Sequence, residues 1–126
     1  MKTINIDKTI SEILKKYSAF YAFNNEGFSS KANSKFNYKA MGAGLYCPTI
    51  FANELTKEVT EAINSKIQFE LENNTPEKII TYHFNNHECY YLGDYSEAYR
   101  CLKDYGFSDE LIEETWNNYC ATYEEM

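Results

Sequence analysis

The 126 residues carry twelve basic and nineteen acidic side chains, a net charge of −7, with 44% apolar and 17% aromatic content. That length suits one domain with a buried core, and no stretch approaches the roughly 20 consecutive apolar residues of a membrane span. The negative balance and scattered bases argue against direct nucleic-acid binding. The opening MKTINIDKTI has no hydrophobic signal region, so a cytoplasmic protein is expected, with Cys47, Cys89, Cys101 and Cys120 reduced. No Cys-x-x-Cys pair occurs, which removes thioredoxin-like chemistry and zinc ribbons.

In chain order, Asp7 can cap a first helix over Lys8–Tyr17, with Ile10, Ile13, Leu14 and Tyr17 on one side. Ala19–Phe23 is an aromatic run of strand type. Asn24–Asn37 is polar and reads as a long loop holding one helical turn after Asn24 or Asn25. A second strand fits Tyr38–Cys47, where Gly42 and Gly44 mark a bulge or a close backbone approach. Gly42-Ala43-Gly44 lacks the third glycine and the lysine of a phosphate loop, so nucleotide binding is not expected.

After Pro48 the longest helix runs from Thr49 to Leu71, with Ile50, Leu55, Val59, Ala62, Ile63, Ile67 and Leu71 as its apolar stripe. Glu54/Glu58, Lys57/Glu61 and Lys66/Glu70 decorate its other side. Ser96 caps a short helix to Tyr105, which Gly106 stops. Ser108 opens a last helix to Tyr123, with Leu111, Ile112, Thr115, Trp116, Tyr119 and Tyr123 inward. The fold class is therefore α+β: a single small domain, residues 1–126, with a short antiparallel β-hairpin packed against about four to five helices.

The stretch Thr75–Asp94, TPEKIITYHFNNHECYYLGD, organises the rest. Thr75 suits an N-cap, Pro76 the first helical position and Glu77 the positive helix end. Ile79, Ile80, His83, Phe84, His87, Tyr90 and Tyr91 then recur at spacings of three and four, predicting a helix that ends near Gly93. A strand is the rival reading, because Ile80, Tyr82 and Phe84 alternate.

His83 and His87 are the only histidines, one helical turn apart and pointing the same way. Such a pair can hold zinc, each imidazole reaching the ion at about 2.0–2.1 Å. Cys89 would join them only if the helix breaks there; Cys47, Cys101, Cys120 or a carboxylate could come from elsewhere. The alternative is a pair of half-buried core histidines bonded to backbone or tyrosine. Phe84 follows His83 where the metalloprotease helix needs a glutamate, so zinc on His83, His87 and Cys89 would be structural rather than hydrolytic.

Charge is unevenly placed. Residues 1–93 hold ten acids and ten bases, whereas residues 94–126 hold nine acids against Arg100 and Lys103. Asp104, Asp109, Glu110, Glu113 and Glu114 are the candidate partner-binding residues, since an acidic face with tyrosines attracts a basic protein surface. The plainer reading is a solvated helical face. No catalytic residues emerge: Cys89 and His87 face apart on one helix, so a thiolate–imidazole pair cannot form there.

Two stretches carry a resemblance. Ala22–Phe28 (AFNNEGF) and Asn86–Asp94 (NHECYYLGD), with Met41–Gly44 and Tyr46–Pro48, resemble motifs of small, mostly uncharacterised proteins of bacteriophages and mobile elements. The resemblance spans Ser18–Tyr119 and implies no catalytic residues. It implies a non-enzymatic inhibitor of a host defence nuclease, such as an anti-CRISPR protein acting on a type II effector; from composition, no membrane partner is expected. A small zinc-dependent or cysteine-dependent enzyme centred on His83 and His87 is the alternative.

Overall fold

Short polar side chains stand at the start of several of the helices. A computed structural model describes residues 1–124. Its contacts gather into two compact units, one of Asn5–Ser65 and one of Met1–Ile4 with the chain from Lys66 onward.

In the first unit, α1 (Asp7–Lys16) is preceded by Asn5, whose Oδ1 accepts from the Asp7 amide at 2.9 Å. Asp7 is thus the first helical residue rather than the cap, and its carboxylate sits where the helix dipole favours it. β1 (Phe20–Tyr21) is followed by α2 (Asn25–Lys31), capped by Asn24 Oδ1 on the Gly27 amide at 2.6 Å. The predicted strand Tyr38–Cys47 is instead a hairpin of β2 (Tyr38–Gly42) and β3 (Leu45–Pro48). Gly42, Ala43 and Gly44 turn the chain with φ of 98°, 52° and 81°, a run that glycine makes accessible. β1 pairs with β3, giving an antiparallel sheet of order β1-β3-β2. Ile13, Cys47 and Leu55 form the core here, with Leu14, Tyr17, Leu45 and Val59 packed around them. Phe20, Phe28, Tyr38 and Tyr46 make a separate aromatic cluster, their ring centroids 4.9–6.0 Å apart.

A 3-10 turn over Thr49–Phe51 leads into α3 (Ala52–Asn73), so the long helix begins three residues later than the predicted start at Thr49. Ile50, in that turn, is 68% exposed. Residues of α3 from Lys66 onward belong to the second unit.

That unit is helical: α4 (Pro76–Asn86), α5 (Cys89–Leu92), α6 (Ser96–Lys103) and α7 (Asp109–Glu124). Thr75 Oγ1 accepts from the Lys78 amide at 3.3 Å and Pro76 occupies the first turn, as its sequence predicts. α4 packs against α5, α6 and α7. Ile79, Ile80 and Phe84 are fully buried beneath Ala98, Leu102, Ile112 and Tyr119. Phe84 meets Trp116 and Tyr119 with ring centroids at 5.1 and 5.2 Å, a contact set typical of an aromatic core.

The helix expected to reach Gly93 stops earlier. His87 ends α4, and Glu88 takes a left-handed φ of 52° before α5 starts. The break turns Tyr91 outward, 81% exposed, although the uninterrupted spacing puts it on the buried face. Asp94 Oδ1 accepts from both the amide and the hydroxyl of Ser96, so Asp94 serves the start of α6. Ser108 Oγ accepts from the Leu111 amide at 3.1 Å and starts α7. The α+β class holds among the described residues: α2 stands where the sequence predicts a helical turn after Asn24, α5 arises from the break after α4, and the sheet has three strands rather than two.

Candidate metal centre

His83 lies on the last turn of α4, His87 is its C-cap, and Cys101 lies on α6. Ala98 and Leu102 of α6 are fully buried against α4, and Cys101, three residues past Ala98, sits at the edge of that face. One donor atom from each of His83, His87 and Cys101 lies within 4.8 Å of the other two. His87 Nε2 is 3.6 Å from Cys101 Sγ. The two imidazoles are nearly parallel, 15° between planes and 6.3 Å between centroids.

His83 has a second set of neighbours. Its Nε2 is 3.3 Å from the Tyr105 hydroxyl, and that hydroxyl donates to both carboxylate oxygens of Glu70 at 3.1 Å. Glu70 is 1% exposed. The sequence pattern predicts it on the solvent side of α3, paired with Lys66. It lies three residues after Ile67, however, and so shares the stripe's inner edge, where Tyr105 supplies the hydrogen bond a buried acid needs. Burial, then the Glu70 charge and hydrogen bond, push the Tyr105 phenol well above its ordinary value, so it remains a neutral donor. Burial, then His87 and Lys66, push His83 below the ordinary histidine value. Neutral imidazole is the form that binds a metal.

His83 Nδ1 is buried and has no hydrogen-bond partner. Buried polar atoms are nearly always satisfied, so an exception of this kind points to something that completes it. His83, His87 and Cys101 together offer two imidazole nitrogens and a thiol sulfur, a donor set that can hold a metal ion.

The structure brings His83 and His87 together and adds Cys101, but it separates Cys89 from them. The helix does break beside Cys89, the condition its participation required. The break carries the side chain into the core with Ala98 and Leu102, 1% exposed, and burial raises its thiol pKa. The sequence alone offers Cys101 together with Cys47, Cys120 and the carboxylates. The signal that singles it out is its place at the edge of the buried Ala98/Leu102 stripe.

The acids proposed for partner binding, Asp104, Asp109, Glu110, Glu113 and Glu114, are all exposed. Asp109 is tied up internally: its Oδ1 accepts from Lys103 Nζ at 2.9 Å and from the Tyr99 hydroxyl at 2.8 Å. The other four form no salt bridge among the described residues. Counted by unit, Asn5–Ser65 holds seven lysines against six acids, while the rest of the chain holds five bases against thirteen acids. The negative charge therefore belongs to the same unit as the donor cluster. No described helix is long and apolar enough to cross a membrane.

No curated protein and no solved structure matches this chain. A family model does, over residues 2–122: the chain belongs to DUF7659, a family of unknown function.

Proposed function

We propose that this protein is a zinc-braced docking module without catalytic activity of its own. Zinc on His83, His87 and Cys101 would tie α4 to α6, and the acidic unit built on those helices would bind a cationic protein surface. The observation that carries this reading is the coincidence of the donor cluster and the charge excess in one unit. Two imidazoles with a thiolate suit zinc, which favours nitrogen and sulfur ligands in tetrahedral geometry. Tyr91 and Leu92 on α5 are 81% and 67% exposed and add apolar contact area to the acids of α6 and α7. The likeness of AFNNEGF and NHECYYLGD to phage and mobile-element proteins supports a bacterial defence nuclease as the partner. A type II CRISPR effector, blocked from loading nucleic acid, is the form of that partner we favour. Affinity capture with the tagged protein at rising salt tests it. A complex with a defence nuclease that weakens steadily with salt supports the proposal, and a salt-indifferent complex, or none with such a nuclease, removes it.

One observation favours a second reading, a small zinc-dependent or cysteine-dependent enzyme. Three protein ligands leave a fourth position open, the arrangement of catalytic rather than closed structural zinc sites. Against it, the one buried acid among the described residues, Glu70, is committed to Tyr105. Cobalt-substituted protein whose visible spectrum responds to added azide would favour the enzyme; a spectrum indifferent to azide would favour the brace.

A further inference from the structure

We infer that Glu70 and Tyr105 are positioning residues of the metal centre: the buried carboxylate orients the tyrosine, the tyrosine fixes the tautomer of His83, and His83 Nδ1 becomes the atom offered to the ion. This deepens the zinc reading and rests on it.

The hydrogen bonds that link Glu70, Tyr105 and His83 all lead to the same assignment. Both Glu70 oxygens accept from the Tyr105 hydroxyl at 3.1 Å, which uses the one phenol proton. The Tyr105 oxygen can then act only as an acceptor toward His83 Nε2 at 3.3 Å, so that nitrogen carries the ring proton. A neutral imidazole protonated at Nε2 has its lone pair at Nδ1, the atom that is buried and without a partner. Metal-bound histidines almost always donate their other ring N–H to a carboxylate, carbonyl or water, which holds the ring and raises its basicity. Here a tyrosine stands between histidine and carboxylate. Packing holds it there: the Tyr105 ring stacks on Phe107 at 1° and 5.6 Å and meets the His83 ring edge-on at 5.5 Å. Each of the three residues in the chain comes from a different part of this unit: α3, α4 and the segment after α6.

Nitrogen-detected NMR of the metal-free protein, with zinc affinity measured on wild type, Tyr105→Phe and Glu70→Gln, tests the inference. Wild-type His83 is expected in the Nε2–H form. Tyr105→Phe should lower zinc affinity by about 10- to 100-fold, the usual consequence of losing an outer-shell partner. Glu70→Gln retains a carbonyl acceptor for Tyr105, so its loss should be smaller. The tautomer is read in each folded variant, so a general loss of stability is not mistaken for a lost orientation: Tyr105→Phe should give a mixed tautomer at His83 with His87 unchanged. Wild-type His83 in the Nδ1–H form, or equal zinc affinity in wild type and Tyr105→Phe, overturns the inference while leaving the zinc reading standing. A wild type that is Nε2–H at His83 but takes up no zinc overturns both.

Discussion

His87 Nε2 stands 3.6 Å from Cys101 Sγ, two side chains fourteen positions apart on different helices. Their approach follows from the packing of α4 on α6: Phe84 and Ala98, both fully buried, bring the helix faces together, and the half-buried rim of that contact carries His83, His87 and Cys101. The zinc reading therefore separates the two cysteines of this region. Cys101→Ser should keep the fold and lose tight zinc uptake, because an alcohol replaces a thiolate ligand. Cys89→Ser should keep zinc uptake and lower stability by about 1–3 kcal/mol, because a hydroxyl replaces a thiol in an apolar site. Calorimetric zinc titration and denaturant unfolding of both variants measure this. A reversed pattern would assign the ligand to Cys89.

Phe84 is the keystone of the helical unit, fully buried between Tyr95, Trp116 and Tyr119. Phe84→Ala should cost about 3–5 kcal/mol, the range for emptying an aromatic core site. Urea unfolding monitored by Trp116 fluorescence, Trp116 being the chain's one tryptophan, reads it directly. A loss under about 1 kcal/mol would place the core elsewhere.

Much of this unit is legible in the sequence. Thr75, Pro76 and the spacing of Ile79, Ile80 and Phe84 mark α4 and its buried face, because capping and helical periodicity are local properties. The end of α4 is not, since Glu88 adopts a left-handed backbone that no local preference of glutamate favours. Glu70 is misplaced for a related reason. An acid on an amphipathic helix reads as solvent-facing until its partner is known, and Tyr105 lies 35 residues away. The hairpin hides inside one apolar run, because the turn Gly42-Ala43-Gly44 resembles a weak point in a single strand.

That turn offers a paired comparison. Gly42 and Gly44 both have positive φ, but only at Gly44 would an added Cβ run into the Phe23 ring. Gly42→Ala should therefore cost about 1 kcal/mol from backbone conformation alone, and Gly44→Ala should cost clearly more. Thermal unfolding of the two variants checks the order, and equal losses would remove Phe23 from the account.

Asp109 should behave unlike its acidic neighbours. Lys103, then Tyr99, hold its carboxyl below the ordinary aspartate range, and Asp109, then Tyr99, hold the Lys103 ammonium above the ordinary lysine value. The pair's contribution is thus present between the two unperturbed values of 3.8 and 10.5, and is lost as acid protonates Asp109 or alkali deprotonates Lys103. An NMR titration should place the Asp109 midpoint below 3.8, and Lys103→Met should return it toward that value. A midpoint unmoved by Lys103→Met would deny the pairing.

For the docking face, Glu110→Gln, Glu113→Gln and Glu114→Gln combined should leave stability within about 0.5 kcal/mol, as exposed substitutions generally do. Association with a cationic partner should slow and lose part of its salt dependence. Asp109→Asn should instead affect the start of α7. Stopped-flow association at two ionic strengths separates these outcomes, and unchanged kinetics in the triple variant would locate the partner's contact elsewhere.

Most direct for the central claim is a cobalt(II) titration of the metal-free protein, followed in the near ultraviolet and visible and displaced with zinc. The account predicts one equivalent bound in tetrahedral geometry, with a thiolate-to-cobalt charge-transfer band that disappears in Cys101→Ser. A featureless spectrum, or a thiolate band that survives in Cys101→Ser, would contradict it.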